Sequence, residues 1–437
     1  MKGKIKRVSI ATGSIAALSL SLAFTPLALA PTVQAQTVSS RVGAATPSSF
    51  GEKINDLVQS DYPGSYSGVV INKDSVTIYM SSGNGSLLKA LANMPGSSKV
   101  KYKVVVVPHS FKWMEKLISR IAQESSVIRS QGVITTSLIP DPATGEVDVY
   151  LSSPTSFDRS ALASTLQMRP DTVTTSNYRQ KATTLLRQRF GSAIDVEPSY
   201  RAVATFADAP ETPPSPLSRR NDISPFSGGD DIVTSAGFGC TGGFSVKRNA
   251  TGDTFMLTAG HCGGGTWYVG GIITNPMGAV AHKFYEDGIN DFEMISTTAI
   301  GFVWGGSESD PVKYTVTGPA FLPPDGAGIA WDGAVTREVR NVAVVATGAE
   351  EELEDETTGE DVTVQNLIVS NNLDPLVAQG GDSGGPIFEH TCQTCNTIKP
   401  IGTIVGQLTD PEDGIYLAYA EYLGTELDYG NSSVIDG

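Results

Sequence analysis

The chain of 437 residues has only four cysteines, four histidines and a low content of charged residues, 18%. Four cysteines are too few for a small fold built on a disulfide framework, although an even number permits two bridges. A formal net charge of −15 argues against a nucleic-acid binder, which needs a basic face. No apolar run away from the N-terminus is long enough to span a bilayer, which excludes an integral membrane protein.

The N-terminus has the pattern of a secretory signal. Lysines and an arginine in the first seven residues precede an apolar stretch from Val8 to about Ala30, and Val33-Gln34-Ala35 follows. We predict a signal peptide over residues 1–35, cleaved after Ala35, and a secreted, extracellular protein that leaves the membrane once cut. The alternative is an N-terminal membrane anchor. Export would place the cysteines in an oxidising compartment.

The charge of the chain changes sign near residue 220. Residues 1–220 hold 24 basic and 15 acidic side chains, whereas residues 221–437 hold 7 and 31. A proline-rich stretch at 209–220 coincides with this change and is typical of a linker. The sequence therefore predicts two domains, over 36–208 and 226–437, joined by a linker at 209–225.

The two domains differ in predicted secondary structure. The first alternates strands with helices, which indicates an α+β unit. Its predicted strands are Tyr66–Met80 and Val100–Val107, and its predicted helices are Phe111–Glu124, Ser160–Met168 and Ala182–Phe190. The second has short β-branched runs separated by glycines, a pattern typical of antiparallel barrels or sandwiches. Only Ala420–Leu427 in the second domain has a helical pattern.

The sharpest motif is Gly380-Gly-Asp-Ser-Gly-Gly-Pro386. A serine hydroxyl is a poor nucleophile unless a base takes its proton and amides stabilise the oxyanion. Glycines on both sides of Ser383 let backbone N–H groups point inward, because no Cβ blocks the turn. The motif also fits the nucleophile turn of α/β-hydrolases, but that fold needs an acid and a histidine after the serine. Only His390 follows, so we reject that interpretation.

Two further residues complete a candidate catalytic set. His261 follows a short apolar strand within Thr258-Ala-Gly-His-Cys262. Asp291 leads into another apolar strand, where an unpaired acid would be costly. An imidazole held by a buried carboxylate is the base that an active serine requires.

These motifs resemble those of the chymotrypsin-fold serine proteases, in the bacterial secreted branch of streptogrisins and α-lytic-type enzymes. Ser227-Gly-Gly-Asp230 and the three motifs above match that family in order and rough spacing, over about half the chain. The resemblance implies a mainly β fold of two six-stranded antiparallel β-barrels with the triad between them. It implies His261 as general base, Asp291 as its orienting acid and Ser383 as nucleophile. The N–H groups of Gly381 and Ser383 would form the oxyanion hole.

The resemblance also implies a disulfide between Cys240 and Cys262, beside His261. Cys392 and Cys395 are separate. A small disulfide in a hairpin loop is our first interpretation for them, since zinc would need more ligands and a redox pair would need a thioredoxin-like context.

The chain departs from the family around Asp382. Streptogrisins usually hold this aspartate with an arginine, which is missing here, so Arg337 or Arg340 would have to replace it. For the substrate pocket we name four uncharged residues: Val377, Val405, Gly406 and Gln407. They disfavour a preference for Lys or Arg and favour large apolar side chains.

Proteases of this branch are commonly made with a prosegment that assists folding and blocks the cleft. Residues 36–208 occupy that place, and we predict maturation cleavage within Arg219–Phe226. Glu350–Asp361 holds eight acids in twelve positions. We interpret it as a solvated hairpin tip. A Ca²⁺ site there is possible but no ligand spacing supports it, and we expect no cofactor.

The sequence therefore predicts a secreted serine endopeptidase that acts on proteins or peptides through an acyl-enzyme and processes its own precursor. One alternative is a catalytically silent binding or structural protein on a protease fold. Another is that the N-terminal domain acts as a separate inhibitor or adhesion module.

Overall fold

The computed structural model describes twelve stretches of the chain: 35–38, 46–152, 154–198, 202–204, 207–208, 218–270, 274–286, 290–355, 361–372, 376–392, 395–410 and 415–437. Most of the predicted signal peptide (1–34), part of the predicted linker (209–217) and residues 356–360 of the acidic run lie outside them. Within the described stretches, no helix combines the length and the apolar character needed to cross a bilayer.

The N-terminal domain consists of two small α+β layers, each with its own apolar core. One sheet has the order β1-β4-β3-β2, and the strands β5-β6-β7 follow one another in the second. The elements are β1 Ala35–Val38, α1 Pro47–Asp61, β2 Tyr66–Asn72, β3 Ser75–Met80, α2 Gly85–Asn93, β4 Lys101–Val106, α3 Phe111–Gln123, α4 Ser125–Ser130, β5 Thr135–Asp141, β6 Glu146–Leu151, α5 Ser156–Thr165, α6 Thr175–Phe190 and β7 Ile194–Pro198.

Two of the predicted helices begin earlier than their apolar spacing indicated. In α5, Thr155 and Asp158 cap each other's backbone N–H groups, which starts the helix four residues before Ser160. In α6, the Asn177 side chain accepts from the N–H of Thr174. Polar capping residues determine where both helices begin, and the spacing of apolar residues does not reveal these positions.

The first barrel of the C-terminal domain is closed by strand pairing. The strands before and around it are β8 Ala202–Ala204, β9 Ala207–Asp208, β10 Phe226–Gly228, β11 Asp231–Thr234, β12 Phe238–Thr241, β13 Ser245–Arg248, β14 Thr254–Ala259, β15 Thr266–Val269, β16 Pro276–Glu286 and β17 Asn290–Ser296. β12 and β13 are halves of one bent strand, and the ring runs β11-β12/β13-β14-β17-β16-β15 and back to β11. It is a six-stranded antiparallel barrel.

The second barrel is closed in the same way. Its region contains β18 Ala299–Gly306, β19 Pro311–Val316, β20 Gly328–Gly333, β21 Arg337–Asp355, β22 Asp361–Asn371, β23 Pro386–His390, β24 Thr397–Asp410, β25 Ile415–Tyr422, α7 Leu423–Gly430 and β26 Ser432–Val434. The ring runs β20-β21-β22-β25-β24-β23 and back to β20. The predicted mainly β fold, with an α+β unit before two six-stranded barrels, is confirmed.

The helix predicted at Ala420–Leu427 is wrong at its start. β25 continues to Tyr422 because it pairs on both sides, with β22 and with β24, and these two ladders hold the backbone extended. The helix begins only at Leu423, and it ends at Asn431, which has a left-handed backbone (φ 45°).

The N-terminal domain packs on the second barrel through β5, which pairs antiparallel with β21 at Glu350 and Glu351. The described part of the acidic run belongs to the β21–β22 ladder, and its first two acids are not solvated, contrary to the prediction of a solvated tip. Glu350 is 4% exposed and Glu351 is fully buried. An ion pair between Arg129 and Glu352 lies at the same junction.

Candidate active site

His261 and Asp291 meet because their strands are neighbours. β14 pairs with β17, with Ala259 opposite Phe292, so the single 3₁₀ turn after β14 lies beside the start of β17. Asp291 Oδ2 lies 2.6 Å from Nδ1 of His261, and its Oδ1 accepts the backbone N–H of the same histidine at 2.7 Å. Both side chains are fully buried. One carboxylate thus fixes both the ring and the backbone of the histidine.

A glycine permits this close approach. A Cβ on Gly260 would lie 2.9 Å from Cβ of Tyr285 and 3.1 Å from the backbone of Phe292. Any larger residue would push the histidine turn away from β17.

Further buried acids surround Asp291. Its own N–H donates to Oε2 of Glu421 at 2.7 Å, and burial raises the pKa of Glu421 well above its usual range. Burial also raises the pKa of Glu293 to about 8, although Trp267 Nε1 donates to it at 2.8 Å. Burial therefore favours the protonated form of both acids, which limits the negative charge beside Asp291.

Ser383 lies where the two barrels meet. Its carbonyl accepts from the N–H of Thr241 at 2.8 Å and lies 4.0 Å from Sγ of Cys262, next to the histidine. Its hydroxyl lies 3.5 Å from the carbonyl oxygen of Val405. A Cβ on Gly384 would lie 2.8 Å from the N of Ala259, so the serine turn packs directly on the strand that carries His261.

A tight turn precedes the serine. Asp382 N–H donates to the carbonyl of Gln379 at 3.0 Å, and Gly381 has φ 91° at the third position, as a type II turn requires. Thr241 Oγ1 donates to the carbonyl of Gly381 at 2.9 Å. We name residues 379–382 the oxyanion turn, after the role predicted for Gly381.

The Asp382 carboxylate does not meet an arginine, which corrects the expectation for Arg337 and Arg340. Oδ1 of Asp382 accepts the N–H groups of Val335 and Thr336 at 2.7 and 3.0 Å, and Oδ2 accepts that of Gln379 at 2.9 Å. Burial raises the pKa of Asp382 although these amides oppose the shift. Backbone N–H groups of the turn after β20 therefore take the place of the expected arginine.

The two arginines pair elsewhere. Arg337 contacts Asp231 at 2.9 Å, and Arg340 contacts Glu338 at 2.5 Å.

The chain is similar in sequence to a bacterial protease. No protein-family model matches the chain. Serine protease 2 of Streptomyces fradiae is 30% identical over 167 residues, which are 37% of this chain and 86% of that protein. The chain belongs to the bacterial serine proteases.

Solved structures of the same class are also similar to the C-terminal half of this serine protease. Protease A of Thermobifida fusca is 22% identical, with 48% of this chain and 98% of that one aligned and a TM-score of 0.36. Nocardiopsis protease is 19% identical, with coverage of 48% and 98% and a TM-score of 0.37.

The protease contains both expected disulfides, Cys240–Cys262 and Cys392–Cys395. The first joins β12 to the turn that carries His261. The second closes a loop between β23 and β24, as our first interpretation of this pair proposed.

The four predicted pocket residues come from two segments, Val377 from the stretch before Ser383 and the other three from β24. Val377 and Val405 are fully buried, each in a separate apolar cluster. Gln407 accepts from Nδ2 of Asn372 at 2.9 Å, and its backbone pairs antiparallel with Val203 in β8. A strand from the segment before the protease domain therefore lies along this edge of β24.

Two buried charged groups at this site were not found from the sequence. Glu421 stands between apolar residues in β25, and a lone acid in such a strand was the available signal. Arg219 pairs with Asp332 at 3.0 Å, with their side chains 3% and 0% exposed. Sequence reasoning missed Arg219 because it lies in a stretch that resembles a linker.

Proposed function

We propose that this serine protease is a secreted endopeptidase that cleaves proteins through an acyl-enzyme and is made as a proenzyme. The observation that carries the proposal is the buried pair of His261 and Asp291 beside the turn that holds Ser383. The pair has the geometry that a catalytic base requires, and Ser383 comes from a third, distant part of the chain.

The proposed first step is attack by Ser383 Oγ on the substrate carbonyl. His261 Nε2 takes the hydroxyl proton and then gives it to the leaving amine, which leaves the acyl group on the serine. Asp291 keeps the proton on Nδ1 and stabilises the imidazolium that forms. The N–H groups of Gly381 and Ser383 bind the oxyanion. A water molecule, activated by the same histidine, releases the acid product and restores the serine.

We propose the N-terminal domain as the prosegment of this enzyme. Its strand β5 extends the sheet at β21, and its strand β8 lies antiparallel to β24 at Gln407. We assign β24 to the substrate pocket, so β8 lies where we expect a substrate to bind. Occupation of that edge would block a substrate backbone. The four uncharged pocket residues, Val377, Val405, Gly406 and Gln407, favour large apolar side chains before the cleaved bond.

The test compares the full chain with its Ser383→Ala variant, each purified after secretion. We expect the natural chain to be cut between its domains and to react with a fluorophosphonate probe. Ser383→Ala should fold but remain uncut and unlabelled, whereas Ser307→Ala, at an exposed serine, should behave as the natural chain. Processing of pure Ser383→Ala, or no labelling of the natural chain, would instead favour a silent protein on a protease fold.

A further inference from the structure

The segment just before the first barrel is part of the core of the protease domain. Arg219 is 2% exposed. Its two terminal nitrogens donate to the two carboxylate oxygens of Asp332 at 3.0 and 3.2 Å, and one also donates to the carbonyl of Gly333 at 3.1 Å. This is a bidentate pair in the geometry that arginine forms best.

The segment is anchored at two more points. The carbonyl of Arg219 accepts the N–H of Asp231 at 2.9 Å. The carboxylate of Asp222 accepts from Trp304 Nε1 at 3.0 Å and from the N–H of Ser227 at 3.1 Å. The segment thus contacts both barrels along its length, unlike an exposed linker.

Arg219 reaches the oxyanion turn through Gly333. A Cβ on Gly333 would lie 2.2 Å from Oδ1 of Asp382, so the glycine backbone packs flat on that carboxylate. The two amides that hold the same oxygen, those of Val335 and Thr336, follow within three residues. The guanidinium therefore fixes one side of the β20–β21 hairpin, and the hairpin fixes Asp382.

Loss of the segment would leave unbalanced charge in this core. Burial raises the pKa of Asp332 to about 7 even with Arg219 beside it. Arg219 also opposes the rise that burial causes in the pKa of Asp230, which is fully buried as well. Without the guanidinium, Asp332 would be a buried carboxyl deprived of its partner, which is strongly destabilising.

We propose that Ser218–Pro225 remains in the mature enzyme, that maturation cleavage falls before Ser218, and that Arg219 is a positioning residue for the oxyanion turn. The proposal rests on the proposed function and moves the cleavage upstream of the Arg219–Phe226 interval expected from the sequence. It also gives the hairpin that holds Asp382 a cation from a part of the chain outside the barrels.

The first test is N-terminal sequencing of the secreted chain that a fluorophosphonate probe labels. We expect a labelled chain that begins at or before Ser218. A labelled, active chain that begins anywhere from Arg220 to Phe226 would overturn the proposal and leave the proposed function intact. A chain that takes no label would contradict the proposed function itself, so the two failures are distinguishable.

The second test measures kcat and KM for Arg219→Gln, Arg219→Lys and a control, Arg340→Gln, on the same hairpin. Deletion of a direct oxyanion donor costs on the order of 10²–10³ in kcat, so we expect a loss of about ten-fold for a residue that acts through others. KM should change less than about two-fold, and Arg219→Lys should recover part of kcat. The control should match the natural enzyme.

An unchanged kcat in folded Arg219→Gln would overturn the positioning role. If that variant does not fold, Arg219→Gln combined with Asp332→Asn removes both charges and keeps the shape of the pair. We expect this double variant to fold, with kcat still reduced. Full kcat in the double variant would contradict the proposal.

Discussion

Asp291→Asn should abolish most of the activity while leaving the fold intact. Both oxygens of Asp291 accept hydrogen bonds from His261, at 2.7 Å from the backbone N–H and at 2.6 Å from Nδ1. An asparagine has one carbonyl oxygen and one NH₂ group, so it satisfies only one of the two. With its oxygen on the backbone N–H, the NH₂ faces Nδ1 and forces the ring proton onto Nε2, which can then no longer accept a proton.

The expected loss follows from the burial of the pair. One charge-assisted hydrogen bond contributes about 1.5–3 kcal/mol, and the wrong tautomer removes the base as well. Together we expect about 5 kcal/mol of lost transition-state stabilisation, or about 10⁴ in kcat/KM. The assay is hydrolysis of a chromogenic peptide amide by the purified variant, with circular dichroism as the check on folding.

A matched control is Asp253→Asn, which replaces an exposed aspartate on the same barrel and should leave kcat/KM unchanged. If folded Asp291→Asn keeps more than about a tenth of the natural kcat/KM, the carboxylate does not set the tautomer, and this derivation of the site is refuted.

Three further predictions concern other buried groups. Because burial favours the protonated form of Glu421, Glu421→Gln should keep kcat/KM within about three-fold at pH 7. Glu421→Leu removes the acceptor of the Asp291 N–H and should cost more than about ten-fold. Replacing Cys240 and Cys262 by alanine should lower the free energy of unfolding by about 3 kcal/mol, measured by urea denaturation. Burial and the neighbouring carboxyl of Glu389 raise the pKa of Glu52 from 4.5 to about 7. The contribution of Glu52 to the free energy of unfolding is therefore complete below about pH 4.5 and is lost as the pH rises through 7. Between pH 5 and 8, the free energy of unfolding of an uncut Ser383→Ala proenzyme should therefore fall by about 2 kcal/mol more than that of the same proenzyme carrying Glu52→Gln.

Each of these predictions has a result that would contradict it. Inactive but folded Glu421→Gln would mean that this acid is ionised at pH 7. An unchanged urea midpoint in the double cysteine variant would mean that the bridge does not stabilise the barrel. An equal pH dependence of the free energy of unfolding with and without Glu52→Gln would contradict the raised pKa of Glu52. Asp61→Asn, at an exposed acid of the same helix, is the control for that experiment.

The strands of both barrels were predictable in part, because their signal is local. Alternation of apolar and polar residues and glycine-rich turns can be read over five to eight positions. Ends of elements were less predictable. β25 and α7 share an apolar stretch, and only pairing on two sides keeps the first part extended.

The Cys240–Cys262 bridge and the hydrogen-bond donors to Asp382 also differ in how far the sequence predicts them. The Cys240–Cys262 bridge was implied by a family pattern. The amides of Val335 and Thr336, by contrast, leave no mark on the sequence, because any residue has a backbone N–H. Their use depends on the path of one turn in space.

The sequence alone determined the membership of the candidate site, since His261 and Ser383 stand within contiguous motifs whose neighbours shape the local backbone. The tertiary structure decided which charges support them. Arg219 and Asp332 are 113 positions apart, and Asp291 and Glu421 are 130 apart. Such pairs form only when strands from different parts of the chain exclude water from the same space, because a buried charge or acid then requires the nearest available partner.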